Sequence, residues 1–378
     1  MRAPVCILAV AMSLACASGR TRAAGTSFDT RRTTLDLAES GRGAPVYRIP
    51  ALAVSTRGTI LAAYDARPSM GDLPSHIRVA LRRSTDGGRT FGSEIAVRAD
   101  TAPLGFGGPS LLVDRDTHRI FLFYSASVSQ GYLGSHTGSD EADPDIQQAD
   151  YSYSDDDGIT WRHRRITAQI KRPEWGGLFA ASGQGIQLKY GQQAGRLVQQ
   201  YVVRYQGANW AASAYSDDHS ESWQMGHLVG PGADENKSVE LTDGALLLDV
   251  RARPFRKRTW SHDGGESWSP LEPDSALVGP GNNGSVIRFA PGARPADPRS
   301  HWLLLSNTRD STERRNLVIS LSCDDGRTWP VRKTIEPGSA AYSTLARLSD
   351  GRFGLLYERD DYRYITLMMF DAGWVGHC

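Results

Sequence analysis

The chain has 378 residues, 40% of them hydrophobic and 22% charged, a balance that excludes a disordered polypeptide and suits a packed globular one. Its 43 basic and 42 acidic side chains nearly cancel, which gives no reason to expect nucleic acid or an anionic membrane as a partner. Clustered arginines can still bind a small anion locally. The 39 glycines and 9 tryptophans point to many turns and aromatic anchors, as in all-β architecture.

Residues 1–25 read as a signal peptide, with Arg2 as the positive start and an apolar run from Val5 to Ala15. Ala15, Cys16 and Ala17 supply small residues at a cleavage site, and the run is too short to span a bilayer. Lipid anchoring through Cys16 is the alternative, but Ser13 stands where such a site wants an aliphatic residue. The expectation is therefore a secreted protein, with residues 26–378 as one domain. No long linker, low-complexity block or transmembrane stretch interrupts that span. Cys323 and Cys378 are the cysteines beyond the leader; they lack metal-site spacing, and the sequence leaves open whether they pair.

One eight-residue pattern, S-x-D-x-G-x-(T/S)-(W/F), recurs from Ser84 to Phe91, Ser154 to Trp161, Ser261 to Trp268 and Ser322 to Trp329. A fifth copy, Ser216 to Trp223, carries Ser220 in place of the glycine. The chemistry is that of a hairpin turn. The Asp carboxylate can accept backbone N–H groups, the glycine supplies a positive φ, and the aromatic plugs the turn from beneath. Strand-like apolar runs precede the copies, as at Ile77 to Leu81 and Leu317 to Leu321. Such spacing accommodates one four-stranded sheet per repeat, and radial repetition of sheets makes a propeller. The expectation is an all-β, six-bladed propeller of four-stranded antiparallel blades. A calcium-loop reading fails because no copy continues into the five-residue gap and Glu of an EF-hand. Pro291 to Arg299 reads as a surface loop, while Leu104 to Gly108 and Tyr132 to Asp145 read as loops without an interpretable pattern.

The repeats, together with Tyr47-Arg48-Ile49-Pro50 near the start, closely resemble the sialidase family, and the resemblance runs over essentially the whole chain after the leader. It implies an exo-α-sialidase that removes terminal sialic acid, a sugar whose anomeric carbon bears a carboxylate. Three arginines are expected to grip that carboxylate, because a guanidinium fork pairs with both oxygens. Arg48 matches the first. Arg251 matches the second, with Asp249 where the family has Asn, and Arg314 the third. Arg253, Arg256 and Arg315 are neighbouring competitors in the same strings. The resemblance implies a tyrosine nucleophile, which avoids carboxylate–carboxylate repulsion. Tyr342 matches it, and Glu235 matches the paired base; Glu240, read as beginning a strand, is the alternative. Asp72, after Arg67 and Pro68, matches the acid/base in a loop after the second strand, with Ala66 where the family has Gly. Arg67 is expected to frame the sugar, and Glu358 to orient Arg48.

The implied mechanism is a retaining double displacement by a monomer acting on sialylated glycans, with no metal or organic cofactor. Trans-sialidases and intramolecular trans-sialidases keep the same residues and remain an alternative. So do a non-catalytic sialic-acid-binding propeller and a repeat-bearing propeller with another ligand.

Overall fold

Each eight-residue repeat closes the turn between the third and fourth strands of a sheet. In the first copy, Ser84 Oγ donates to Asp86 Oδ1 at 2.8 Å, and the Gly88 N–H donates to Ser84 Oγ at 2.9 Å. Thr90 donates to the same carboxylate through both its N–H (3.0 Å) and its hydroxyl (2.6 Å). The arrangement recurs around Asp156, Asp218, Asp263 and Asp324. In the degenerate copy Ser220 keeps the conformation the glycine would have, at φ 78°, and is buried. The hydrogen-bonded turn thus holds a serine in a region that glycine adopts freely.

The computed structural model describes Met1, residues 31–100 and residues 104–378. The expected leader, with Cys6 and Cys16, lies outside the described residues apart from Met1. The protein is an all-β propeller. Its first sheet runs Val46–Val54, Ile60–Arg67, Arg78–Ser84, Ile95–Arg98. The second runs Gly105–Val113, Ile120–Ser127, Gln148–Ser154, Arg162–Arg165, with Gly183–Gln184 added in parallel beside the first of these. The third comprises Leu178–Ala180, Leu197–Tyr205, Ala208–Ser216 and Gln224–Met225, and Ile186–Gln187 also pairs with Leu197–Tyr205. The fourth runs Asn236–Glu240, Leu246–Val250, Phe255–Ser261, Glu272–Val278.

The remaining strands form one seven-stranded sheet. Its order is Arg32–Glu39, Tyr364–Phe370, Phe353–Arg359, Val331–Arg347, Arg315–Ser322, Leu303–Thr308, Ser285–Arg288. Six separate four-stranded sheets were expected, and the hydrogen-bonded sheets among the described residues number five. The reason is the 17-residue strand Val331–Arg347. Its first half pairs with Arg315–Ser322 and its second half, from Ala340, with Phe353–Arg359, so that two strand sets share one continuous backbone. The strand Arg32–Glu39 pairs antiparallel with Tyr364–Phe370 and covers an edge that would otherwise be open.

First strands of successive sheets pack against one another, and apolar side chains fill the spaces between sheets. Ala63, Leu81 and Val79 of the first sheet meet Phe106, Leu122 and Tyr124 of the second in one buried cluster. Phe121, Phe123 and Tyr151 of the second meet Tyr201 and the repeat aromatic Trp223 of the third in another. Cys323 and Cys378 form a disulfide with Cα atoms 6.0 Å apart. No described helix is long and apolar enough to cross a membrane.

Two local readings are corrected. Leu104 to Gly108 is not a loop: Gly105 begins a nine-residue strand. Glu240 ends the strand Asn236–Glu240 rather than beginning one, which sends it to the opposite end from Glu235.

Candidate active site

The Arg-Ile-Pro motif builds a kink. Ile49 sits at φ 60°, a conformation costly for a β-branched residue, and the register shifts between Arg48 and Ala51. The strained backbone is held by the fully buried carboxylate of Glu358, whose Oε1 accepts the Ile49 N–H at 2.8 Å and Arg48 Nε at 3.3 Å. Oε2 accepts the Tyr342 N–H at 2.9 Å, at a second register shift between Ala340 and Ser343. One carboxylate therefore fixes both the Arg48 and the Tyr342 segments.

The Tyr342 hydroxyl donates to Glu235 Oε2 at 2.6 Å. Arg251 Nη1 reaches the same oxygen at 2.5 Å and the phenol oxygen at 2.9 Å. Glu235 immediately precedes the strand Asn236–Glu240, and Arg251 immediately follows its partner Leu246–Val250, whose Val250 faces Asn236. The antiparallel register thus sets the carboxylate beside the guanidinium. Burial pushes the Glu235 carboxyl up, but Arg251, the Tyr342 hydroxyl and Lys237 outweigh it and hold it below its ordinary value. Burial, followed by the Glu235 charge, pushes the Tyr342 phenol well above its ordinary value. The phenol is therefore protonated in the free site, with an ionised acceptor in contact.

Two further guanidinium groups cap the Tyr342 ring. Arg48 lies 5.5 Å and Arg314 5.3 Å from its centroid. Tyr362 links them: Arg48 lies 4.6 Å from its ring, and Arg314 Nη1 donates to its hydroxyl at 3.2 Å. Arg67 is buried between two carboxylates, bonding Asp65 Oδ2 at 2.8 Å and Asp72 Oδ1 at 2.7 Å. Asp65 is buried and also accepts the Gly108 N–H at 3.0 Å, whereas the Asp72 side chain is 80% exposed. Burial pushes the Asp65 carboxyl up to about 6 despite Arg67.

A cavity of about 580 Å³ opens here, lined by Arg67, Asp72, Glu235, Arg251 and Tyr342 with Leu133 and Phe179 among its apolar walls. Arg48 and Arg314 flank the Tyr342 ring, and Glu358 holds its backbone N–H. The competitors lie elsewhere. Glu240 accepts the N–H groups of Lys189 and Tyr190, and the exposed Arg315 pairs with Asp310. Arg256 is buried against Asp249 at 2.6 Å and donates to the Asn282 carbonyl, so the Asp at the position of the expected Asn is a partner for a packed arginine. Arg253 lies against Gly281.

Sequence reasoning missed Asp65, Asp234 and Tyr362, together with Ser182, which lines the cavity beside Glu235, and the buried Asn283 and Lys237. Asp65, two residues before Arg67 on the same strand, had a usable signal: alternation puts both side chains on one face. Among the described residues, Asp114, Asp116 and His219 approach one another, as do His136, Asp143 and Asp145. Gln187 Nε2 already donates to both carboxylates of the first group, and neither group includes a candidate site residue.

The fold and the site together are those of an all-β propeller with a buried tyrosine–carboxylate pair among several arginines. Residues 58–355 match the BNR repeat-like domain. The chain is 50% identical over 354 residues to a sialidase of Micromonospora viridifaciens, covering 91% of this chain and 54% of that protein. It is 29% identical to a sialidase of Bacteroides fragilis (82% and 60% covered). The solved structure of a Hadza microbial sialidase superposes with a TM-score of 0.82 at 27% identity, over 91% of this chain and 69% of that one. The chain belongs to the sialidase family. It spans little more than half the length of the first two curated relatives.

Proposed function

We propose that the protein is a retaining exo-α-sialidase acting on terminal sialic acid of glycoconjugates. The observation that carries this reading is the 2.6 Å hydrogen bond from Tyr342 to Glu235, set among Arg48, Arg251 and Arg314. In the proposed reaction the three arginines hold the substrate carboxylate. Tyr342 Oη forms a bond to the anomeric carbon while its proton passes to Glu235 Oε2. The glycosidic C–O bond breaks, and the leaving oxygen takes a proton from Asp72. Water then attacks the sialyl-tyrosine, giving a proton to Asp72, and Glu235 returns its proton to the released phenolate. The chain's own side chains supply the first nucleophile and give or take each proton that moves.

Counting the seven-stranded sheet as two blades that share Val331–Arg347 supports a six-bladed propeller. We propose also that residues 1–25 direct export, a reading the disulfide supports because such bonds persist in oxidising compartments. The test is hydrolysis of a fluorogenic sialoside by the wild type and by Tyr342→Phe. Hydrolysis that Tyr342→Phe reduces by about 10³-fold or more supports the reading; equal rates overturn it, and transfer to lactose exceeding hydrolysis favours a trans-sialidase.

A further inference from the structure

Behind the Tyr342–Glu235 pair lies a group the reaction above does not use. Lys237 is an ammonium with no solvent exposure, two residues along the strand from Glu235. Its Nζ donates to Asn283 Oδ1 and to the Asn236 carbonyl, each at 3.2 Å. Asn283 Nδ2 donates to Ser182 Oγ at 2.9 Å and to the Ser182 carbonyl at 3.0 Å. Ser182 Oγ lies 3.2 Å from Glu235 Oε1, the carboxylate oxygen turned away from Tyr342. All four side chains are buried.

The direction of every bond follows from one fact: an ammonium only donates. Asn283 must therefore turn its oxygen toward Lys237, which leaves its NH2 facing Ser182. Both Ser182 oxygens accept from that NH2, so the single Ser182 hydroxyl hydrogen is left for Glu235 Oε1. A carboxylate whose Oε1 already receives a donor is favoured as the anion. It takes a proton on its other oxygen, Oε2, which faces the phenol.

We propose that Lys237, Asn283 and Ser182 form a polarised relay that keeps Glu235 anionic and directs its proton-accepting oxygen to Tyr342. These are positioning residues, and the inference rests on the reading of Tyr342 and Glu235 as nucleophile and base. Other charged groups face the same region. Arg251, Asp234 and Tyr342 flank Glu235, Arg48 and Arg314 lie beyond the Tyr342 ring, and the Asp249–Arg256 pair faces Lys237. Arg251 supplies charge to Oε2, and among the described residues it is the relay that serves Oε1. Burial pushes the Lys237 ammonium down to about 8, with Glu235 and Asp249 opposing, so it remains charged through the acid range where Glu235 titrates.

The experiment is the pH profile of fluorogenic sialoside hydrolysis for wild type, Lys237→Met, Ser182→Ala and Tyr342→Phe. With the relay removed, Glu235 protonates at higher pH. The acid limb of kcat/KM should move upward by roughly half a unit or more in Lys237→Met and in the same direction in Ser182→Ala. kcat should fall about tenfold or more in Lys237→Met while KM stays within about twofold, since the lysine makes no contact with the cavity. Ser182→Ala, which removes one hydroxyl, decides the question if Lys237→Met does not fold. An acid limb unmoved in the folded variants overturns the relay while leaving the functional reading intact. An inactive wild type, or a fully active Tyr342→Phe, overturns the functional reading and the relay with it.

Discussion

The carboxylate of Glu358 accepts the backbone N–H of Tyr342 at 2.9 Å, and its second oxygen accepts that of Ile49 at 2.8 Å. A glutamine has one acceptor oxygen and would turn an NH2 against one of these donors. It would also leave the buried Arg48 without its ionic partner. Glu358→Gln should therefore destabilise the fold by about 3–5 kcal/mol, the usual cost of breaking a buried pair. Calorimetry checks the first effect, and a raised KM for sialosides checks the loosening of Arg48.

Arg251 and Arg256 look interchangeable in the sequence, yet the structure separates them. Arg251→Lys should lower kcat/KM by about 10²-fold or more with little change in Tm, because only a guanidinium reaches both Glu235 and Tyr342. Arg256→Met should instead cost about 3–5 kcal/mol of stability, leaving Asp249 buried and unpaired. The double variant Arg256→Met/Asp249→Leu should recover much of that loss. Denaturant titration beside steady-state kinetics distinguishes the two arginines.

Asp72 is 80% exposed and lines the cavity, and the proposed reaction assigns it the proton for the leaving oxygen. Asp72→Asn should slow hydrolysis of a sialoside with an alkyl leaving group by about 10²–10⁴-fold. Sialosides with acidic phenol leaving groups need little protonation and should be affected far less. A flat dependence on leaving-group acidity would remove Asp72 from the acid role.

The buried Asp65 carboxyl titrates at about 6 in the folded chain, above the roughly 3.9 of an unfolded aspartate. Between those values the folded state binds more protons than the unfolded one. Stability should therefore fall as pH rises from about 4 to about 6, by on the order of 2–3 kcal/mol from this group. Asp65→Asn should flatten that part of the stability–pH curve; an identical slope in wild type and variant would contradict it.

The Cys323–Cys378 disulfide closes a loop with a sequence separation of 55 residues. Chain entropy puts the stabilisation near 4 kcal/mol, with about 2–4 typical. Neither cysteine lines the cavity. Cys378→Ser should lower Tm yet leave kcat/KM at 25 °C within about twofold.

What was legible in the sequence was what short strings record. The repeats encode a local turn, so Asp86 and its equivalents could be read with their hydrogen bonds. Tyr342 and Glu235 were legible as motif members, but their contact spans 107 positions and depends on which strands converge. Lys237, Asn283 and Ser182 carry no motif. A lysine in a strand reads as a solvated side chain unless the surrounding backbone is known. The sharing of Val331–Arg347 between two strand sets was equally hidden, since nothing in an extended stretch marks where its partner changes.

Among the described residues, the strand Arg32–Glu39 pairs with Tyr364–Phe370 alone. Of the described strands it is the first to leave the ribosome, and it must wait, unpaired, until Tyr364–Phe370 has been synthesised. Throughout elongation the ring stays open, and the chain closes as a clasp in a late, non-local step of the kind that slows folding. When the apolar run Tyr364–Phe370 emerges, it presents a free edge to any neighbouring chain until Arg32–Glu39 returns to cover it. The yield of folded protein is then set by a race between this intramolecular return and association with other nascent chains, so dilution or slower translation should favour the closed ring.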